Sequence, residues 1–210
     1  MLALIKREIL DHIVYFFAAL IFSAVLVSLL TAAAYNSGGR IESGIFAALW
    51  IPMLLILVIV FSAMGVTQMY LDRNRRISAF LCALPVTRSR ILAARIIAGV
   101  LAILLALLPL AIGAGLLCRL FVLPMPFFTN LLTDIVTTIF LMVFACYCLG
   151  LLTGWTASKI APTFGALGLN LILVSLIVVK GFGSEIRFLL VLVIAACLIR
   201  TWQKFVSTSL

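Results

Sequence analysis

The chain has very few charged residues. Only 10% of its 210 residues are Asp, Glu, Lys or Arg, whereas 66% are hydrophobic and the mean hydropathy is +1.38. This number of polar groups is too small to cover the surface of a water-soluble globule. The composition therefore predicts an all-α integral membrane protein with a single transmembrane domain over residues 1–210.

Motifs for catalysis, nucleotide binding and metal binding are also missing. The sequence has no G-x-x-x-x-G-K-[ST] phosphate loop, no H-E-x-x-H and no G-x-S-x-G, and His12 is its single histidine. The five cysteines show no metal or disulfide spacing. Cys146 and Cys148 would point about 200° apart on a helix, so we expect small buried hydrophobes. We predict that the chain is not an enzyme and holds no cofactor or metal itself.

Six apolar runs are long enough to cross a bilayer as helices, for which about 20 residues are needed. Before the first run, Leu2, Ile5 and Ile9 alternate with charged residues, which predicts an interfacial amphipathic helix over 1–12. That helix is either a membrane anchor or an elbow on which a cytoplasmic partner pushes. The predicted spans are roughly 13–35, 45–70, 91–117, 129–153, 163–180 and 186–203.

The distribution of lysine and arginine predicts the orientation. With the N-terminus in the cytoplasm, eleven of the fifteen cations lie on the inner side and four on the outer side. We therefore expect a multi-pass protein of a bacterial-type inner or plasma membrane, with both termini cytoplasmic. Topology and contact with anionic lipid account for the net charge of +9, so we expect membrane lipid and no nucleic acid as a partner.

Two polar residues inside the apolar runs are candidates for a transport pathway. Asp134 lies about one turn inside the fourth span, where a carboxylate is costly unless it faces protein or water. It is either an interfacial carboxylate or a polar point on an export path. Asn170 makes either an interhelical hydrogen bond or a ligand contact. Small residues at Gly150 with Gly154, and at Gly165 with Gly168, favour close helix contacts.

The connection between the second and third spans combines an apolar stripe with many arginines. The stripe follows the i, i+3, i+4, i+7 pattern of one helix face, and Pro85 forbids continuation of the helix. The pattern predicts a short amphipathic helix beneath the membrane, lying either on the bilayer or in a partner's groove. The apolar residues are Ile77, Phe80, Leu81 and Leu84, and the flanking cations are Arg75, Arg76 and Arg88.

The stretch DRNRRISAFLCALPVTRSRILAARI, residues 72–96, resembles the loop of type 2 ATP-binding-cassette (ABC) exporter permeases. In that family a polar start and a short helix precede a Leu-Pro-Val/Leu-Ser/Thr-Arg stretch, followed by a basic residue in the next helix, here Arg95. The family's small six-span members are also similar in layout over the whole chain. The chain departs from them at Arg75, Arg76 and Ile77, where many members have glutamate and glycine, and in its short outer connection between the last two spans.

The resemblance implies the transmembrane subunit of an ATP-driven exporter. It implies a second permease copy or a similar permease, and two separate ATPase subunits that hold ATP and Mg. The loop would be the coupling helix, with its four apolar residues in a groove of the ATPase. The apolar spans suggest an amphipathic peptide, a lipid-like molecule or a drug as substrate, and a haem-export-type permease is an alternative within the class. From other classes, a non-transporting scaffold that recruits a cytoplasmic partner is open, and a lipid enzyme is opposed by the missing catalytic clusters.

Overall fold

The computed structural model of the chain describes residues 2–36, 43–74, 88–121, 126–154 and 161–207. Within these ranges the chain forms seven α-helices and no β-strand, which confirms the predicted all-α class. A helix lies over each of the six apolar runs, with ends that differ from the predicted ones by at most four residues. The helices are α1 (Leu2–Asp11), α2 (Ile13–Asn36), α3 (Ser43–Asn74), α4 (Arg88–Phe121), α5 (Pro126–Gly154), α6 (Ala161–Lys180) and α7 (Ser184–Ser207).

Within the described residues, two helices contain stretches long and apolar enough to cross a membrane. These are Ser89–Leu116 of α4 and Leu132–Gly154 of α5. Shorter apolar stretches occupy Ile13–Leu29, Leu54–Tyr70 and Leu167–Lys180, in α2, α3 and α6.

Helix α5 is the centre of the bundle. It packs against α3, α4, α6 and α7, while α2 packs mainly on α4. Most of its second half is buried, and Tyr147 has no exposed surface. Large side chains from the neighbouring helices, among them Phe61, Met64 and Ile103, fill the remaining core.

Two glycines of α5 let α3 approach unusually closely. A Cβ atom on Gly154 would lie 2.6 Å from the backbone oxygen of Val66, and one on Gly150 would overlap the backbone oxygen of Ser62. The close contact predicted for this glycine pair is therefore confirmed. At Gly165 and Gly168 of α6 an added Cβ would meet no described atom within 4 Å. The contact predicted there is not made between the described helices, because both glycines lie on the outer side of α6.

The first and last described helices, α1 and α7, meet at the same end of the bundle. Glu8 of α1 lies next to Arg95, near the start of α4, and Phe205, near the end of α7, lies over the same arginine. At the opposite end, α6 and α7 are joined by the three residues after Lys180. Gly181 has a φ of 79°, a conformation in which glycine avoids the Cβ strain, and its N–H donates to the carbonyl of Ile177 at 2.8 Å.

Candidate functional site: a buried arginine shared by five helices

Arg95 is only 1% exposed, and the residues around it explain why. It lies on the face of α4 that carries Ile91, Leu92 and Ala98, all of which are buried in the core. The apolar pattern of α4 therefore turns this side chain inward. Burial of an unpaired guanidinium costs several kcal/mol, so partners must surround it.

Three helices supply side chains around the guanidinium. The Nε atom of Arg95 donates to the Oε1 atom of Glu8 at 3.4 Å, which joins α4 to α1. The Nη1 atom contacts the sulfur of Met69 in α3 at 3.5 Å. The Cζ atom lies 5.8 Å from the ring centroid of Phe205 in α7, within the range of a cation–π contact. The Glu8 carboxylate thus faces the charge, and polarizable groups of Met69 and Phe205 lie against the guanidinium.

The backbone of Arg95 is tied to a fourth neighbour, α5, through Tyr147. The tyrosine hydroxyl lies 3.0 Å from the carbonyl oxygen of Arg95 and 2.7 Å from the side-chain oxygen of Gln68 in α3. The hydroxyl carries one proton and can donate to one of these oxygens at a time. Rotation of the Gln68 amide by 180° would let its nitrogen donate to the hydroxyl while the hydroxyl donates to the carbonyl. We call these six residues the Arg95 cluster: Glu8, Gln68, Met69, Arg95, Tyr147 and Phe205.

Gly99 makes room for the tyrosine. It lies one turn after Arg95 on α4, and a Cβ atom there would overlap the Cζ atom of the Tyr147 ring. A larger residue at this position would hold the hydroxyl away from the Arg95 carbonyl. Glycine is therefore required by packing at this point of α4.

The second oxygen of Glu8 extends the cluster to the junction of α1 and α2. It lies 3.9 Å from the Nε2 atom of His12, which is buried. Burial lowers the pKa of His12 from its ordinary value, although the neighbouring Glu8 and Asp11 carboxylates act in the opposite direction. Further along, the Tyr15 hydroxyl lies 3.2 Å from the Thr67 hydroxyl, which links α2 to α3.

This arrangement connects helices. The one carboxylate of the Arg95 cluster is paired with the arginine. In the part of the chain that the structure describes, no three His, Cys, Asp or Glu side chains are grouped to hold a metal ion. What the cluster does is fix the positions of α1, α3, α4, α5 and α7 relative to one another at one end of the bundle.

The residues predicted for the coupling helix lie outside the described ranges. These are Arg75, Arg76, Ile77, Phe80, Leu81 and Leu84. Arg88 is the first residue of α4, seven residues before Arg95. The coupling role of all seven residues stays a prediction.

The two predicted pathway residues are both paired within the bundle. Asp134 is 44% exposed and its carboxylate lies 2.9 Å from the Nη1 atom of Arg187, so that α5 is joined to α7 at the end opposite the Arg95 cluster. Asn170 is buried, and its Nδ2 atom donates to the hydroxyl of Ser62 at 3.0 Å. The interhelical hydrogen bond expected as one alternative for Asn170 is therefore present, and a pathway role for either residue stays a prediction.

Sequence reasoning identified Arg95 only as the last residue of a motif and missed its partners. Gln68 and Tyr147 are single polar side chains inside apolar runs, and Glu8 is one of several charged residues of the predicted interfacial helix. The available signal was the cost of burial: a cation about two turns inside α4 requires a nearby carboxylate. Glu8, Asp11 and Asp72 are the acidic residues predicted on the same side of the membrane, and the sequence does not choose among them.

No protein-family model, curated protein or solved structure matches the chain.

Proposed function

We propose that the chain is the transmembrane subunit of an ATP-driven exporter of the type 2 ABC class. In this proposal six helices, α2 to α7, cross the membrane, and both termini and residues 72–90 face the cytoplasm. The chain assembles with a second permease copy or a similar permease and with two ATPase subunits that bind ATP and Mg. The substrate is an amphipathic peptide, a lipid-like molecule or a drug.

The observation that carries the proposal is the position of Arg95. The Leu-Pro-Val-Thr-Arg stretch at 84–88 leads directly into α4, and the basic residue that follows it in the family's pattern is the buried hub of the Arg95 cluster. Arg88 and Arg95 are about two helical turns apart. An ATPase that moves the loop would therefore also move the start of α4, which lies next to the point where α1, α3, α5 and α7 meet.

The positions of the chain ends also support the proposal. Glu8 and Phe205 approach the same arginine, so the interfacial helix and the end of α7 lie at the end of the bundle where the loop into α4 begins. A partner bound to that loop would lie beside α1. The elbow interpretation of residues 1–12 requires this proximity.

Substitution of Phe80 tests the coupling role. Phe80→Asp places a carboxylate in the groove that the apolar face is proposed to occupy, and Phe80→Ala removes burial worth about 1.5 to 3 kcal/mol. The measurement is recovery of an ATPase with a phosphate-binding loop alongside the tagged chain from native membranes, with ATP hydrolysis by the complex. We expect Phe80→Ala to weaken association about ten- to a hundredfold and Phe80→Asp to weaken it further.

The matched control is the double change Arg75→Ala, Arg76→Ala. Exposed charges at the rim of an interface contribute under about 1 kcal/mol each, so this variant should retain the ATPase. Loss of the ATPase in the arginine variant, with full retention in Phe80→Asp, would identify the loop as a lipid-binding patch. ATP hydrolysis by the purified chain alone would contradict separate ATPase subunits, and an ATPase complex without export in cells would favour the scaffold function.

A further inference from the structure

The Asn170 side chain has more hydrogen-bonding capacity than its described neighbours use. Its Nδ2 atom donates to the Ser62 hydroxyl at 3.0 Å, whereas its Oδ1 atom is buried and accepts no bond from the described part of the chain. Asn170 is 1% exposed and Ser62 is 3% exposed, so bulk water does not reach the amide. Rotation of the amide by 180° would pair the oxygen with Ser62 and leave the nitrogen instead.

The amide lies away from the ends of the two helices that form this contact. Ser62 and Asn170 lie inside the apolar stretches Leu54–Tyr70 of α3 and Leu167–Lys180 of α6. On each helix the residues one turn away are apolar, so neither helix supplies a second polar side chain at this level. Among these apolar residues are Val58 and Val66 on α3, and Leu173 and Val174 on α6.

A polar atom buried among apolar residues is costly to leave without a hydrogen bond. Nearly all such atoms in proteins are bonded, and those without a protein partner bond to ordered water. The Ser62 hydroxyl accepts the bond from Asn170 and keeps its own proton to donate. A molecule that accepts this proton and donates to the Asn170 oxygen would close a ring in which each group both donates and accepts. Water is the smallest molecule with this chemistry.

We propose that the contact between α3 and α6 is a binding site for one water molecule, held by the Ser62 hydroxyl and the Asn170 amide. The ring of hydrogen bonds can run in either direction, so the site does not depend on which way the amide is turned. Two protein partners lie within the usual range for a buried water. The inference goes beyond the proposed transport function, because it concerns the chain without an ATPase or a substrate.

Nuclear magnetic resonance of the full-length chain in lipid nanodiscs tests the inference. Isotope labelling of asparagine alone gives side-chain amide signals from Asn36, Asn74, Asn130 and Asn170, and their comparison with Asn170→Leu identifies the Asn170 signal. We expect an Overhauser cross peak between the Asn170 amide protons and water, with the sign of a bound molecule and not of proton exchange. Asn130, whose side chain is exposed, provides the signal of an amide in contact with mobile water.

Two serine variants locate the water. Ser62→Ala removes the hydroxyl that links the amide to the water, so we expect loss of the cross peak. Ser175→Ala is the matched control, because its hydroxyl is exposed on α6 and bonds at 2.9 Å to the carbonyl of Ile172 in the same helix. This control should keep the cross peak. Helical circular dichroism checks that each variant is folded.

Three results would overturn the inference. Absence of the water cross peak in the unmodified chain would show that no water is bound at the amide, and this result does not depend on any variant. A cross peak that persists in folded Ser62→Ala would place the water on other groups. Loss of the cross peak in Ser175→Ala as well as in Ser62→Ala would show a general effect of serine substitution.

Discussion

Replacement of Tyr147 by phenylalanine would remove a single oxygen atom from the point where α3, α4 and α5 meet. The ring would keep its packing, because it is fully buried and no other atom changes. The lost oxygen is 2.7 Å from the Gln68 side chain and 3.0 Å from the Arg95 carbonyl. The effect of Tyr147→Phe therefore measures these two hydrogen bonds.

The two bonds are not equally costly to lose. The Arg95 carbonyl lies inside α4, where it also accepts the intrahelical bond from the residue four positions later. Gln68 is buried, and the amide loses the hydroxyl that is its described partner. An unsatisfied buried polar group costs about 1 to 3 kcal/mol, and hydrogen bonds between membrane helices lie near the lower end, so we expect a loss of about 1 to 2 kcal/mol.

The assay is reversible unfolding in mixed micelles, followed by helical circular dichroism. Tyr15→Phe is the matched control, because its hydroxyl also bonds between helices but is half-buried at 3.2 Å from Thr67. The Thr67 hydroxyl has a second partner in its own helix, so this control should lose less than about 0.5 kcal/mol. Equal losses in the two variants, or none in Tyr147→Phe, would refute the assignment of the Arg95 cluster as the joint between these helices.

Two further predictions concern the same end of the bundle. Gly99→Ala forces the ring of Tyr147 out of its position and should lower the free energy of unfolding by about 1 to 3 kcal/mol. The control Gly165→Ala, where an added Cβ meets no described atom, should raise the free energy of unfolding slightly. Equal effects of the two variants in unfolding titrations would contradict the packing argument. Burial lowers the pKa of His12, so the unfolded chain binds a proton more readily than the folded chain. Thermal stability should therefore be constant above the ordinary His pKa of 6.5 and fall as the pH drops below it. The fall should be smaller in His12→Gln. A pH profile of His12→Gln identical to that of the unmodified chain would assign the dependence to other groups.

The positions of the helices could be predicted from hydropathy, but their ends could not. Helix α3 continues to Asn74, four residues past the apolar run, and α4 starts at Arg88, three residues before the next one. Apolar composition marks the part of a helix suited to a hydrocarbon environment, whereas a helix ends where its backbone hydrogen bonds end. The polar residues at the end of α3 and at the start of α4 are helical, but hydropathy does not identify them as part of the helices.

The Arg95 cluster could be predicted only in part, for a different reason. Helix periodicity reports which residues share a face of one helix, but α2 to α7 are apolar on nearly every side. The sequence therefore does not determine how α3 and α5 are rotated about their axes, and this rotation decides whether Gln68 faces Tyr147. Gly65 and Gly150 fix that rotation by allowing backbone contact between α3 and α5, and Gly99 makes room for the Tyr147 ring. The partners of a glycine are visible only in the assembled bundle.

The ion pair between Glu8 and Arg95 joins residues 87 positions apart, which has a consequence for biogenesis. A ribosome that adds about 5 to 20 residues per second reaches Arg95 about 4 to 17 s after Glu8. During that interval α1 is already complete, with its carboxylate present before the arginine. When α4 follows, its arginine meets a carboxylate that was synthesised earlier, so the order of synthesis delivers the acid before the base that it pairs with.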